Sequence, residues 1–127
     1  MELGLEGKVA IVTGGSKGIG RATALCLAQE GANVVICARG VEDLEEAASA
    51  ISEISGRPVL SVRADMTVLE DIQNLVATTV SELGGVDILV NNAVNSVAAP
   101  FLELSDEDWL NHINVKVMGY VRCSREV

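Results

Sequence analysis

The chain alternates short apolar runs with longer stretches in which apolar residues recur every three or four positions. The apolar runs lie at residues 9–12, 34–38, 59–62 and 86–90. Runs of this length without strict polar alternation are typical of parallel strands buried on both faces, and parallel strands need a crossover, usually a helix. The pattern therefore predicts four parallel strands joined by helices.

The stretches between the predicted strands have the spacing of amphipathic helices. The first ends at Gly31, the second covers residues 41–55, and the third ends at Gly84. Glycines at these points, and Gly56 after the second stretch, are typical helix stops. The apolar positions are Ile19, Ala22, Leu25, Cys26 and Ala28 in the first helix, Leu44, Ala47, Ala48, Ile51 and Ile54 in the second, and Ile72, Leu75, Val76, Thr79, Val80 and Leu83 in the third.

Two short patterns predict helix starts. Thr67 with Glu70 three residues later is typical of a capping box, and it precedes the third helix. Ser105 with Asp108 has the same spacing and predicts the N-cap of a fourth helix that continues to the last residue.

Strands that alternate with helices of this length predict an α/β fold, a doubly wound parallel sheet with helices on both faces and right-handed crossovers. The chain has 127 residues, of which 49% are hydrophobic, enough for one domain with a real core and too few for two. We therefore expect a single globular domain over residues 1–127.

Composition narrows the function. The formal net charge of −9 disfavours nucleic acid as a partner, because phosphate backbones are bound by clustered Lys and Arg. No apolar stretch approaches the ~20 residues that span a bilayer, and the N-terminus is acidic where a signal peptide is basic, so we expect a soluble cytoplasmic protein. The three cysteines have no C-x-x-C spacing, so we expect reduced packing residues and neither disulfides nor a metal site.

Residues 8–21, KVAIVTGGSKGIGR, carry the strongest chemical signal. Gly14, Gly18 and Gly20 follow a buried strand and open a helix, so the backbone can turn sharply and present free N–H groups to an anion. Such a turn suits a pyrophosphate. Its G-x-x-x-G-x-G spacing differs from the common G-x-G-x-x-G fingerprint, and a tight strand-to-helix connection is the plain alternative.

Polar residues follow each of the other predicted strands. Arg39, Asp65 and the pair Asn91-Asn92 come directly after the second, third and fourth strands. Each alone could form only local hydrogen bonds. Parallel strands end at one edge of the sheet, where the ligand crevice of such folds lies, so together with the glycine loop they predict a binding site.

These residues match a known family. Thr13-Gly14-x-x-x-Gly18-Ile19-Gly20, then Asp65, then Asn91-Asn92-Ala93 resemble the short-chain dehydrogenases/reductases, and most closely the 3-oxoacyl-carrier-protein-reductase-like branch. The resemblance covers essentially the whole chain. It implies a Rossmann-type sheet of strand order 3-2-1-4, a nicotinamide cofactor, and a homodimer or homotetramer in the full-length form.

The resemblance also assigns roles to residues. It implies that the glycine loop surrounds the pyrophosphate and the adenosine ribose, that the residues after the third strand contact the adenine, and that those after the fourth lie beside the ribose on the far side. The implied residues are Gly14, Ser16, Lys17, Gly18, Ile19 and Gly20 in the loop, Asp65 and Met66 at the adenine, and Asn92 and Ala93 at the far ribose.

The end of the second strand predicts which cofactor binds. NAD-preferring relatives carry an acidic residue there, for the ribose hydroxyls. This chain has Ala38 followed by Arg39. We expect Lys17 and Arg39 to converge on a 2′-phosphate, which predicts NADP(H) in preference to NAD(H). Two solvated surface cations are the plain alternative.

Two positions depart from the family pattern. Ala93 stands where the motif after the fourth strand normally ends in glycine, so a Cβ is added near the implied cofactor. Lys116 lies seven residues after Trp109, where the family usually has an asparagine that serves a proton relay. Asn114 is two residues out of register, and an ammonium has no acceptor lone pair, so neither residue takes over that role.

The family's catalytic serine and Tyr-x-x-x-Lys pair have no counterpart in this sequence. Tyr120 is followed four residues later by Ser124, and His112 has no partner in the sequence that predicts catalysis. We therefore expect the N-terminal part of an NADP(H)-dependent oxidoreductase that transfers hydride between the nicotinamide and a small carbonyl or alcohol substrate. The alternative is a non-catalytic nucleotide-binding fragment.

Overall fold

The computed structural model describes residues 2–95 and 98–127. Within them, four parallel strands pair in one sheet in the order β3-β2-β1-β4. The predicted Rossmann-type sheet and its strand order are confirmed, and the order reverses between β1 and β4, the point at which such sheets bind ligands. The strands are β1 (Val9–Thr13), β2 (Asn33–Ala38), β3 (Val59–Arg63) and β4 (Ile88–Val90).

Helices connect and follow these strands. Three of them fill the predicted crossovers, and a 3₁₀ turn at Phe101–Glu103 precedes the last helical stretch. No helix within residues 2–95 and 98–127 is long and apolar enough to cross a bilayer. The helices are α1 (Gly18–Gln29), α2 (Val41–Ser55), α3 (Leu69–Leu83), α4 (Asp106–His112) and α5 (Gly119–Glu126).

The two central strands β1 and β2 are buried on both faces, as their apolar runs predict, whereas the outer strands β3 and β4 are only partly buried. Successive residues of β1 enter opposite clusters, because side chains alternate across a strand. Ile11 packs with residues of α3 and α5, and Val12 packs with residues of α1 and α2. Both isoleucine and valine are fully buried, so this central strand anchors the loop that follows it.

The predicted inner face of α1 is partly wrong. Gly20, Ala24 and Ala28 are its buried residues, whereas Ile19 is 79% exposed and Cys26 is exposed. The small residues let α1 approach the sheet closely, so that Leu25 and Leu27 pack at the margin of this contact while Ile19 and Cys26 stay exposed. Cys26 is therefore not a packing residue.

In the other two crossover helices, some side chains on the predicted apolar face are also exposed. Ile54 of α2 is 62% exposed and Val80 of α3 is 45% exposed. Both belong to the predicted apolar faces. The other two cysteines, Cys37 and Cys123, are buried as expected.

The predicted capping box at Thr67 is wrong. The helix α3 begins at Leu69, and its N-cap Val68 makes no side-chain cap. The hydroxyl of Thr67 donates instead to Asp65 Oδ1 at 2.7 Å, and the Thr67 N–H donates to the same oxygen at 2.9 Å. The Asp65 side chain thus accepts both hydrogen bonds of Thr67 in a local turn, and the threonine hydroxyl does not cap the helix.

The second capping box is confirmed. Asp108 N–H donates to Ser105 Oγ at 3.1 Å, and Ser105 N–H donates to Asp108 Oδ2 at 3.0 Å. The helix beyond it, predicted to be continuous, has a π-helical segment at Ile113–Met118 between α4 and α5. The sequence therefore predicted the start of this helix and missed its change of register.

The strand β4 is shorter than the predicted run over residues 86–90. The side chain of Asp87 accepts the Val9 N–H at 2.8 Å, and the Asp87 N–H donates to the Val9 carbonyl at 2.9 Å. A carboxylate thus takes the place of one backbone acceptor beside β1, and regular pairing begins only at Ile88.

Candidate functional site

A cavity of about 690 Å³ lies at the carboxyl ends of the strands, within the size range of small-molecule sites. Loops after all four strands contribute to it. Gly20, Asp65 and Asn91 are the three predicted site residues outside its described lining. The lining consists of Gly14, Ser16, Lys17, Gly18, Ile19, Cys37, Ala38, Arg39, Gly40, Asp43, Ala64, Met66, Asn92, Ala93, Val94, Asn95 and Val115.

Two loop glycines adopt left-handed backbone conformations. Gly14 has φ of +65° and Gly18 has φ of +54°, a region that side-chain-bearing residues rarely occupy. A Cβ on Gly14 would also lie 3.0 Å from Asn92 Nδ2 and 3.1 Å from the Cα of Ala93. The loops after β1 and β4 are therefore in close contact.

Gly20 holds the same contact from the helix side. A Cβ on Gly20 would overlap the carbonyl oxygen of Gly14 and lie 2.5 Å from Asn92 Nδ2. Glycine at this position thus allows the first turn of α1 to pack directly against the loop, which brings the N-terminus of α1 to the cavity.

Hydrogen bonds fasten these loops together. The Thr13 hydroxyl accepts the N–H groups of Asn92 and Ala93 at 2.9 and 3.1 Å and donates to the Val90 carbonyl at 3.3 Å. The Asn92 side chain donates to the carbonyls of Thr13 and Gly14 at 3.1 and 3.2 Å. Asn92 therefore braces the glycine loop, and Ala93 joins the network through its backbone.

The two asparagines of the predicted pair Asn91-Asn92 make different contacts. Asn91 does not line the described cavity, and its Nδ2 donates to Ser124 Oγ of α5 at 3.2 Å. Its Oδ1 is buried, with no hydrogen-bond partner among the described residues. Of the two asparagines, only Asn92 lies in the cavity wall.

Both predicted cations line one side of the cavity. The ammonium of Lys17 lies 3.0 Å from Asp43 Oδ2, with the two side chains 77% and 61% exposed. The backbone carbonyl of Arg39 accepts a hydrogen bond from Arg63 Nε at 3.4 Å, and Arg63 is in turn paired with Asp71 at 2.8 Å. The carboxylate of Asp43 in this wall was not predicted.

Asp65 shapes the loop after β3. Partial burial raises the pKa of its carboxyl, but the hydrogen bonds from Thr67 and the positive charges of Arg39 and Arg63 outweigh that effect, so the pKa lies below its ordinary value. The charged carboxylate holds the turn that brings Met66, its neighbour, into the cavity lining. Asp65 therefore positions Met66 in the lining by fixing the backbone turn, while its own side chain lies outside the described lining.

The inner end of the cavity contains sulfur. Cys37 lines it, and burial, with the nearby Cys123, raises the pKa of the Cys37 thiol to about 12 against a backbone hydrogen bond from Gly14 that lowers it. Burial also raises the pKa of Cys123 to about 11, and its Sγ lies 3.5 Å from Met66 Sδ. These thiols are protonated packing groups and not nucleophiles.

Three polar residues of the last helical stretch, His112, Asn114 and Lys116, lie outside the described cavity lining. His112 Nδ1 is 3.2 Å from the Asn95 carbonyl, and Lys116 is exposed. Asn114 accepts a hydrogen bond from Arg122 Nη1 at 2.8 Å. Within the described residues, no group of three or more His, Cys, Asp or Glu side chains could hold a metal ion.

Two residues whose hydrogen bonds or charge shape this site had no role in the sequence prediction, Thr13 and Asp43. The sequence prediction includes Thr13 only within the family motif, although a threonine that ends an apolar strand next to the glycine turn is a recognisable signal. Asp43 lies four residues after Arg39 in the first turn of α2, where an acid is common for helix stability alone, so nothing in the sequence set it apart.

Comparison with known proteins agrees with this geometry. The family model described as short chain dehydrogenase matches residues 8–127. The chain belongs to the short chain dehydrogenase family.

Individual relatives show the same relationship. A short chain dehydrogenase/reductase, astE, of Aspergillus oryzae is 42% identical over 120 residues, which are 94% of this chain and 46% of that protein. The 3-oxoacyl-[acyl-carrier-protein] reductase FabG of Vibrio harveyi is 38% identical over 125 residues, 98% of this chain and 50% of that one. The chain spans about half the length of the curated relatives it matches.

A solved structure superposes closely. The crystal structure of L-sorbose reductase from Gluconobacter frateurii, complexed with NADPH and L-sorbose, has a TM-score of 0.92 and 42% identity. The match covers 100% of this chain and 48% of the reductase chain. The Rossmann-type architecture is thus shared with a nucleotide-bound enzyme.

Proposed function

We propose that this protein is the cofactor-binding part of an NADP(H)-dependent oxidoreductase that transfers hydride between the nicotinamide and a small carbonyl or alcohol substrate. The observation that carries the proposal is the placement of Lys17 and Arg39 in the wall of one cavity, beside a glycine loop, with Ala38 where an acid would favour NAD. The NADPH complex of L-sorbose reductase supports the choice of cofactor.

The residues present fit a dinucleotide. The left-handed glycines and the N-terminus of α1 provide an anion site for the pyrophosphate. Lys17 and Arg39 bind the 2′-phosphate, the segment Asp65-Met66 contacts the adenine, and Asn92-Ala93 lies beside the far ribose. The remaining proposed contacts come from Gly14, Ser16, Gly18, Ile19 and Gly20.

This chain's own contribution is binding and orientation. When bound, the nicotinamide supplies hydride chemistry. Reduction of a carbonyl also needs a proton donor, typically worth ~10²–10⁴ in rate. Tyr120 is the only tyrosine and lacks the lysine four residues on, so we propose that a serine and a Tyr-x-x-x-Lys pair outside this sequence complete the reaction.

The second candidate function is nucleotide binding without catalysis. The observation that favours it is the absence of a proton-donating pair around the described cavity, whose lining contains neither tyrosine nor histidine. Oxidation of NADPH followed at 340 nm, with ketones, aldehydes and 3-oxoacyl thioesters, separates the two functions. We expect no turnover by the 127-residue chain and turnover by a longer chain that includes the Tyr-x-x-x-Lys segment.

We also propose that the full-length protein forms a homo-oligomer through its last helical segment. Trp109, Ile113, Val117 and Val121 recur every four residues and are 42%, 43%, 51% and 46% exposed. The opposite side of the segment, which carries Val115, Gly119 and Cys123, is already buried against the core of the domain. An exposed apolar stripe of this length is typical of a helix–helix interface.

Cofactor titration tests the proposal. We expect NADPH to bind the wild type more tightly than NADH, and Arg39→Ala to weaken NADPH by about 10- to 100-fold while leaving NADH unchanged, since a charge-assisted hydrogen bond contributes ~1.5–3 kcal/mol. Arg125→Ala, which removes an exposed arginine of α5 outside the described lining, is the matched control. Equal affinities of the wild type for NADPH and NADH would overturn the proposal.

A further inference from the structure

The cation Lys17 is not free in this structure, because the carboxylate of Asp43 lies 3.0 Å from its ammonium. Both residues line the cavity beside Arg39. We propose that Asp43 is a specificity-determining residue that competes with the 2′-phosphate of NADP(H) for Lys17 and so limits the preference for NADP(H) over NAD(H). This inference rests on the proposed function.

The position of Asp43 makes the competition direct. It is the third residue of α2, whose N-cap Gly40 also lines the cavity, and it approaches Lys17 at the N-cap of α1. The ion pair therefore joins the first turns of two helices across the region where the proposal places the 2′-phosphate. A phosphate that binds Lys17 must displace this carboxylate or share the ammonium with it.

The pair is weak enough to be displaced. Its side chains are 77% and 61% exposed, and an exposed ion pair contributes ~0.2–1 kcal/mol. A 2′-phosphate brings up to two negative charges and three acceptor oxygens, and so offers Lys17 a stronger partner than one carboxylate. Lys17 therefore changes partner when NADP(H) binds.

The net charge of the cavity lining predicts whether removal of Asp43 strengthens or weakens NADP(H) binding. Lys17, Arg39 and Asp43 are the charged residues of the described lining, so the two cations and one anion leave a net charge of +1. Without the carboxylate the wall carries +2. A dianionic 2′-phosphate gains from that change, whereas the neutral 2′-hydroxyl of NAD(H) does not.

An acid in the first turn of a helix also stabilises the helix, and this alternative needs a control. Glu42, the preceding residue, shares the first turn of α2, the charge and the exposure of Asp43, but lies outside the described lining. Glu42→Gln therefore removes the same helix stabilisation without altering the cavity wall.

The experiment compares Asp43→Asn with Glu42→Gln, by titrating NADPH, NADH and adenosine 2′,5′-bisphosphate at low salt. We expect Asp43→Asn to tighten NADPH and the bisphosphate by about fivefold, which is ~1 kcal/mol at 1.4 kcal/mol per tenfold, with less than a twofold change for NADH. Glu42→Gln should change all three affinities by less than twofold. Thermal unfolding of both variants checks that α2 still folds.

A double-mutant cycle with Lys17→Met tests the competition itself. In the Lys17→Met background the gain from Asp43→Asn should fall below twofold, because the ammonium for which they compete is gone. An unchanged or weakened NADPH affinity of Asp43→Asn, with NADPH still preferred by the wild type, would overturn this inference alone. A wild type that binds NADPH no more tightly than NADH would instead overturn the proposed function.

Discussion

Asn92 donates two hydrogen bonds to Thr13, one to its side chain and one to its backbone. The Asn92 N–H donates to the Thr13 hydroxyl at 2.9 Å, and the Asn92 side-chain amide donates to the Thr13 carbonyl at 3.1 Å. Thr13 ends β1 and Asn92 follows β4, so this pair closes the sheet edge where the strand order reverses. The shape of the cavity depends on a contact between residues 79 positions apart.

Thr13→Val should strongly destabilise the protein. The side chain is 1% exposed, and valine leaves the N–H groups of Asn92 and Ala93 without their acceptor. An orphaned buried donor costs ~1–3 kcal/mol, so we expect the free energy of unfolding to fall by about 2–4 kcal/mol in urea titrations.

Thr23→Val is the matched control, because the Thr23 hydroxyl donates to the Ile19 carbonyl on the exposed side of α1. We expect the free energy of unfolding of this control to stay within about 0.5 kcal/mol of the wild-type value. Thr13→Ser keeps the hydroxyl and should recover much of the loss. Equal stabilities for the two valine variants would contradict the assigned role of Thr13.

Gly20→Ala should abolish NADPH binding. A Cβ there overlaps the Gly14 carbonyl and lies 2.5 Å from Asn92 Nδ2, so the glycine loop must move away from α1. Alanine favours a helix over glycine by up to ~1 kcal/mol, but a backbone overlap outweighs that gain, and we expect a net loss of about 1–3 kcal/mol in stability.

The control is Gly85→Ala, where a Cβ would meet nothing within 4 Å. Isothermal titration with NADPH measures the binding of both variants. Equal NADPH affinities of Gly20→Ala and Gly85→Ala would contradict the close contact between Gly20 and the glycine loop.

Thiol labelling should distinguish the three cysteines. At pH 8 we expect Cys26 alone to react quickly, because it is exposed, while Cys37 and Cys123 are buried with thiol pKa values raised to about 12 and about 11. A thiol with a pKa of 12 is roughly 10⁻⁴ ionised at this pH. All three should react in denaturant, and rapid native labelling of the Cys26→Ser variant would contradict the packing.

The same thiols predict a dependence of stability on alkaline pH. Their folded pKa values lie above the ~8.5 of an unfolded cysteine, so their contribution is fully present below pH 8.5 and is lost as the pH rises through the folded values. Unfolding titrations between pH 7 and pH 10 should show this decline. Cys37→Ala in combination with Cys123→Ala should flatten it.

Val121→Glu should weaken self-association. Val121 is 46% exposed on the apolar stripe of the last helical segment, so a carboxylate there must be desolvated in any helix–helix contact. Val80→Glu on α3 is the control, because Val80 is 45% exposed outside that stripe. Sedimentation velocity of the full-length protein should show a shift toward monomer for Val121→Glu only, and a monomeric full-length wild type would contradict the interface.

The order of the strands' apolar runs and the position of the binding site at one sheet edge could be predicted from local sequence alone. Unbroken apolar runs report burial on both faces, and parallel strands bring their carboxyl ends to one edge, so the loops after Thr13, Ala38 and Val90 had to meet. The glycines could be predicted for a similar reason, since Gly14 and Gly18 occupy backbone conformations that other residues avoid.

The inner face of α1 and the charge of the cavity wall depend on contacts between segments that are distant in the sequence. Whether Ile19 or Gly20 faces the sheet depends on how closely α1 approaches it, and periodicity does not measure that distance. The pairing of Lys17 with Asp43 depends on where two crossover helices begin relative to each other. Local sequence sets the conformation of each segment, whereas contacts between distant segments follow from the geometry of packing, and those contacts determine the charge of this cavity.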